Sequence, residues 1–336
     1  MRYFSLGILL VASLFGMPKN PEVTAGGAKI EGMRIEAEDR TIIHWGDFSI
    51  EPDERVEFVQ PSAEAAVLNR VVDAVPSRLM GRLESNGRVI LVNPNGILVG
   101  KEGRIDVGAF IASSLDVLDR SFLEKGELAA REISWGLVAN EGEIRGKEIC
   151  LAGFEVHNHG EVVGERVGLV GAKEASIEIG VLVIRRGSSI EGLREKLGNP
   201  YRFAVVHPED EDWPTVASFH GAKAEHMPGP AAIEIGILRG QEIQCLGDYI
   251  DVRAGATIEA DGGQVWIGGK GTRIARLDGA VQAAGGRVDA WSDGAMRFGG
   301  SISAGSASVA GGVFSDLRGT IETLYLEPAA NHNIAP

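Results

Sequence analysis

Two cysteines in 336 residues, Cys150 and Cys245, are too few for a disulfide framework. Aromatic residues are also scarce at 6%. Positive charge is the minority sign, with 33 Lys and Arg against 47 Asp and Glu, a net charge of −14. No basic stripe is left to displace counterions from phosphates, which argues against nucleic acid as a partner and against adsorption to anionic lipid. Nowhere does the chain hold about 18 consecutive apolar residues, so no membrane anchor is expected. The start, M-R-Y-F-S-L-G-I-L-L-V-A-S-L-F-G-M-P, has one positive charge and then an apolar stretch to Met17. That length suits a signal peptide over residues 1–17, with small residues at Ser13 and Gly16 near the cleavage point; a buried N-terminal strand is the alternative.

Common catalytic signatures are missing too. There is no G-x-S-x-G elbow and no Gly-Gly-x-Gly-x-Asp calcium repeat. The glycines from Gly262-Gly263 to Gly268-Gly269-Lys270 fail the phosphate-loop pattern, since Gln264 stands where the first Gly belongs and no Ser or Thr follows the Lys. Candidate acids Asp106, Asp251, Asp261, Asp289 and Asp293 are spread out and are read as solvated turn residues. His157-Asn158-His159 suggests a nuclease but coincides with a repeat turn, and His220 and His226 lack a third metal ligand. Trp45, Trp135, Trp266 and Trp291 are distant from one another and are read as core or capping residues rather than a glycan-binding face. Neither catalytic residue, metal nor cofactor is expected.

What the chain does have is glycine, 46 residues, and repetition. A-N-E-G-E-I-R-G (139–146) returns as H-N-H-G-E-V-V-G (157–164), and Ile258, Val281, Ile302 and Ile321 recur at intervals of 23, 21 and 19. Each unit is a turn, a short alternating strand, a Gly-rich corner and another short strand. A period near twenty without helical segments predicts an all-β, right-handed parallel β-helix, in which each rung buries its inward residues on its neighbours. The settings of the cysteines, G-K-E-I-C-L-A-G and G-Q-E-I-Q-C-L-G, look like equivalent buried strands. At 95 residues apart they are expected about four rungs and about 19 Å from each other, beyond disulfide reach. Residues 191–232, rich in charge and proline, are expected to leave the coil, with a strand over Tyr201–Val206 and a loop over Glu209–Gly229. Residues 116–131 are expected to hold a short helix or irregular turn.

One sharp corner interrupts two apolar runs: R-V-I-L-V-N-P-N-G-I-L-V-G (88–100). Asn93 can bond its own backbone, Pro94 fixes φ near −65°, and Asn95-Gly96 tolerates left-handed geometry. With H-W-G-D-F-S-I (44–50), the Q-P-S and L-N-R-V segments of 54–71, and A-S-S-L-D (112–116), this ordered set resembles the N-terminal secretion domain of filamentous-haemagglutinin-like exoproteins. Later segments, N-P-Y-R-F-A-V-V-H (199–207), D-G-G-Q-V-W-I-G-G (261–269), W-S-D-G-A-M-R-F-G-G-S-I-S-A (291–304) and L-Y-L-E-P (324–328), are similar to stretches that follow this domain.

The resemblance implies a β-helix with an N-terminal β cap and extra-helical excursions. A secretion domain would span residues 25–180 and the continuing helix 181–328, with a tail at 329–336. It also implies export through the general secretory machinery and the periplasm of a Gram-negative bacterium. The partner would be an outer-membrane polypeptide-transport β-barrel with POTRA domains, and the product a secreted or cell-surface adhesin meeting a host-cell receptor or glycan. The family's secretion motif falls on Asn93, Pro94, Asn95, Gly96 and Ile97, and the L-N-R-V segment adds Asn69 and Arg70. Family members usually run much longer. A β-helix carbohydrate enzyme and a truncated relic stay open as alternatives.

Overall fold

The computed structural model describes residues 18–131, 136–186 and 232–326. Those residues form a parallel β-solenoid of about 11 turns. Within each run, burial alternates as the two-residue period of a strand requires: Arg34–Ala37 and Arg55–Val59 each bury every second side chain. On the first of three faces, the column from Val56 through Leu83, Ile105, Ile144 and Val162 continues to Leu238, Ile258, Val281, Ile302 and Ile321. The four regularly spaced sequence anchors are its last four members. The second face stacks Val67, Val89, Phe110, Ile149, Val167 and Ile243, and the third Val138, Val156, Ile233, Ile250, Ala275 and Met296.

The internal repeat is register made visible. Asn140 pairs with Asn158 and Ile144 with Val162 on consecutive rungs. Asn140 Nδ2 donates to Asn158 Oδ1 at 2.8 Å inside the stack. Glycine is demanded where backbones stack at the corners. A Cβ at Gly164 would stand 2.9 Å from the Gly146 carbonyl oxygen, and one at Gly240 2.7 Å from that of Gly164.

At the start, Ala28–Glu31 pairs antiparallel with Arg34–Ala37, and Glu22–Ala25 antiparallel with Thr41–Trp45. These strands form the β cap and cover the open edge of the first rungs. Trp45, Phe48 and Phe58 fill the interior just beneath, Trp45 edge-on to Phe48 with ring centres 5.3 Å apart. Of the tryptophans, Trp45 is core as expected. Trp266 and Trp291 are instead half-buried on the outer side of the second face, and Trp135 lies outside the described residues.

Residues 116–131 do more than turn. A π-helical turn, Ser121–Lys125, sits between Asp116–Val117 and Glu127–Arg131. These strands join Glu174–Glu178 and Val183–Arg186 in a four-stranded antiparallel sheet outside the solenoid. The sheet covers the second face, packing Leu128, Ala130, Ile177 and Ile184 onto Ile42, Leu68, Ile90 and Ile111. The first rungs therefore have a second core outside the first.

Both cysteines are free and buried, and burial pushes each thiol up to about 12. Their strands are equivalent, as expected, with Ile149 stacking through Val167 to Ile243. Two corrections follow. The strands are two rungs apart, not four, because Arg166–Gly171 pairs with Glu148–Gly153 on one side and directly with Glu242–Leu246 on the other. The cysteines also point opposite ways: Cys245 stacks on Leu169 in the inner core, while Cys150 belongs to the outer one.

Candidate functional site

Strand Arg82–Val92 ends in four fully buried residues, Val89–Val92, and Ile97–Val99 continues equally buried on the third face. Between them Asn93–Gly96 is one closed β-turn, Gly96 N–H donating to Asn93 O at 2.9 Å. Asn93 Oδ1 accepts from the Asn95 amide at 2.9 Å, the local bond expected of an Asx turn. Only Gly96 takes positive φ, at 111°; Asn95 does not.

The side chains reach backwards. Asn93 Nδ2 donates to Val75 O at 2.9 Å and to Ser77 Oγ at 3.0 Å, and Asn95 Nδ2 donates to Asp73 O at 3.1 Å. The backbone ties both ways. Ser77 N–H donates to Gly96 O, and Asn93 N–H donates forward to Ser113 O. Asn93 has no exposed surface and Asn95 only 6%. The motif is thus a buried clamp joining the corner at 73–77 to the rung above, with its side-chain amides spent on backbone carbonyls and the Ser77 hydroxyl.

Asn69 and Arg70 are adjacent and face opposite sides of one strand, Ala66–Val71. Asn69 stands in the inner column between Ile43 and Leu91, the polar member among apolar neighbours. Its Oδ1 accepts from Trp45 Nε1 at 2.9 Å, and its Nδ2 donates to Ile90 O at 3.3 Å. Arg70 points outward into the outer sheet. It donates to Val117 O at 2.6 Å and to Asp119 Oδ1 at 2.5 Å, and lies 3.4 Å from the buried Asp116. His44 Nε2 is 3.3 Å from Arg70 Nη1, and burial, then the Arg70 charge, pull its imidazole below its ordinary value.

The candidate acids divide. Asp106 lies in a strand, and Asp261 and Asp293 occupy turns or bends. Asp251 and Asp289 are buried strand residues, not solvated turn residues. Each is gripped by a two-pronged arginine: Arg276 on Asp251 at 2.9 and 2.6 Å, and Arg287 on Asp289 at 2.6 and 3.0 Å. His157 and Asn158 likewise belong to a strand, Glu155–Asn158. Glu234 is brought beside both histidines, a grouping the sequence concealed because 75 residues separate His159 from it. Asp116 and Asp119 were similarly unreadable as partners of Arg70, since only the outer sheet delivers them. His220, His226 and the 199–207 segment lie outside the described residues.

A family model described as the TPS secretion domain matches residues 17–198. The "Heme/hemopexin-binding protein" of Haemophilus influenzae is 30% identical over 173 residues, 47% of this chain but 19% of that protein. A second Haemophilus influenzae protein of the same name is 31% identical over 105 residues and is matched over 11% of its length. The chain thus spans less than a fifth of either relative's length. Among solved structures, the HMW1 secretion domain from Haemophilus influenzae aligns with a TM-score of 0.53 at 19% identity, covering 92% of this chain and all of that one. A buried Asn-Pro-Asn-Gly clamp in a capped parallel solenoid, and a family match over more than half the sequence, lead to one conclusion: the chain belongs to the TPS secretion domain family, the exported side of two-partner secretion.

Proposed function

We propose that this chain is recognised by an outer-membrane transport β-barrel bearing POTRA domains, is exported through it, and serves outside the cell as an adhesin. The observation that carries the export reading is the burial of Asn93–Ile97. Amides already committed to Asp73, Val75 and Ser77 are not available to a transporter once the corner has formed. The motif therefore acts while the chain is unfolded, or through folding itself. Folding is the better fit, because the clamp joins two successive rungs and so fixes the register from which later ones extend. Growth of the stack outside the cell then draws the remaining chain outward. Asn69 and Arg70 support the same step by seating the first rungs on the Trp45 plug and under the outer sheet.

The role is not enzymatic on this reading. Lyase and hydrolase chemistry on a β-helix needs carboxylates free to face substrate, whereas Asp251 and Asp289 are neutralised by arginines. The relatives' name speaks of heme and hemopexin. The shared stretch is under a fifth of those proteins, which supports the export role and not that ligand.

The test is secretion of the whole chain from a Gram-negative host with and without a candidate partner barrel. Wild type in the medium only with the barrel is expected. Asn95→Asp and Gly96→Val should abolish secretion while leaving the unfolded chain able to bind the isolated POTRA domains. Undiminished secretion of both variants would end the folding account, and lost POTRA binding would turn it into one of direct recognition.

A further inference from the structure

We propose that His157, His159 and Glu234 form a binding site for a divalent transition-metal ion of the zinc class, closing the gap between two rungs. His157 and His159 come from the rung before residues 187–231, and Glu234 from the strand that resumes the stack after them. His157 and Glu234 are direct register partners. One donor atom from each of the three residues lies within 4.8 Å of the other two. His159 Nε2 is 3.0 Å from Glu234 Oε2, and His157 Nδ1 is 3.8 Å from the same oxygen. These bracket the edge of roughly 3.3 Å that tetrahedral bonds of about 2.0–2.1 Å produce.

A second observation points to a ligand. His157 is 2% exposed, yet its Nδ1 is buried and makes no hydrogen bond. Its other nitrogen, Nε2, faces Glu155 Oε2 at 3.6 Å. A carboxylate there favours the proton on Nε2 and leaves the Nδ1 lone pair bare and directed at Glu234, the arrangement that orients a metal-binding histidine.

Arg253 contacts Glu234 at 2.6 Å and would oppose a cation were it alone. It also lies 3.8 Å from Asp251, which Arg276 grips. Glu155, Glu234 and Asp251 thus set three carboxylates against two guanidiniums, leaving negative charge for a dication to neutralise. Imidazole donors select zinc, nickel or copper over magnesium or calcium. Such an ion would tie together segments whose closure entropy the chain otherwise bears alone.

The test is calorimetric titration of the whole purified chain with zinc chloride, paired with thermal unfolding. One equivalent should bind and Tm should rise with zinc concentration, both reversed by a chelator. His157→Gln and His159→Gln should each weaken binding by at least about tenfold, whereas His220→Gln should not. Zinc that stays bound in both variants, leaves with His220→Gln, or fails to bind at millimolar concentration would overturn the assignment. Should the variants not fold, histidine nitrogen NMR of the wild type decides. Zinc must shift His157 at Nδ1 and His159 at Nε2, and shifts confined to other histidines refute the site.

Discussion

On the outer side of the second face, one column reads Ile42, Leu68, Ile90, Ile111 and Cys150 in the early rungs. It then reads Gln244, Trp266, Asp289 and Ser308 in the later ones. The change falls after Gly168, where any side chain would collide with Ile184 of the outer sheet. Inside the solenoid, beyond the plug of Trp45, Phe48 and Phe58, both regions are stacked mainly with aliphatic residues. They differ in whether a second layer covers the strand. Early rungs are held from both sides, and later ones have inner stacking with an outer column that is no longer aliphatic and lies outside the second core. Stability is therefore expected to be concentrated in the doubly covered rungs.

The largest effect should come from the tether between the two layers. Arg70→Met leaves Asp116 buried beside a neutral side chain and should cost about 3–5 kcal/mol. Hydrogen exchange is the proper measurement, because a solenoid need not unfold as one unit. Protection should collapse in Glu127–Arg131 and Ala66–Val71 and survive in Ser301–Gly311. Equal loss at both ends would mean the two regions are one cooperative unit. Adding Asp116→Leu should restore part of the loss, since the stranded charge goes with it.

Next in size is a matched pair on one column. Ile90→Ala opens a cavity between the strand and the outer sheet and should cost about 2–5 kcal/mol. Ser308→Ala, equivalent in position and buried but outside that sheet, removes one hydroxyl and should cost about 1 kcal/mol or less. Urea unfolding of the two variants checks it. Comparable costs would show that the outer sheet adds little and that the inner stack alone sets stability.

This contrast also explains how far the sequence could be read. Where a strand is covered on one side, as in R-V-D-A-W-S (287–292), inward residues alternate with others and the rung can be counted from sequence. Where it is covered on both, as in R-V-I-L-V (88–92), the run is continuous and says only that the strand is buried, not by what. The columns through Ile258 and Ile321 and the corner at 93–96 were therefore legible from spacing and turn chemistry. The outer sheet was not, because Leu128 and Ile177 sit in short segments whose partners are antiparallel and distant. Cys150 and Cys245 looked alike for the same reason: a one-residue offset, which sends one inward and the other outward, leaves the flanking residues unchanged. The grouping at His157 was hidden because register across residues 187–231 is fixed by stacking and not by any local pattern.

The smallest effect is a pH dependence confined to the early region. His44 has its imidazole pulled below the ordinary value of 6.5, first by burial and then by the Arg70 charge, with Asp119 and Glu22 acting weakly the other way. The unfolded chain therefore binds a proton more readily than the folded one. Stability from this source is fully present above pH 6.5 and is lost as the pH falls from there toward the depressed folded value. The slope cannot exceed about 1.4 kcal/mol per pH unit for one proton. Exchange protection in Thr41–Trp45 and Glu127–Arg131 should fall over that window while Ser301–Gly311 holds steady. His44→Gln should flatten the response. Arg70→Met should narrow the window, because the guanidinium that helps exclude the proton is gone, leaving burial opposed by Asp119 and Glu22. A slope that persists in His44→Gln would move the pH sensitivity to another group and leave the two-layer region without a titrating element of its own.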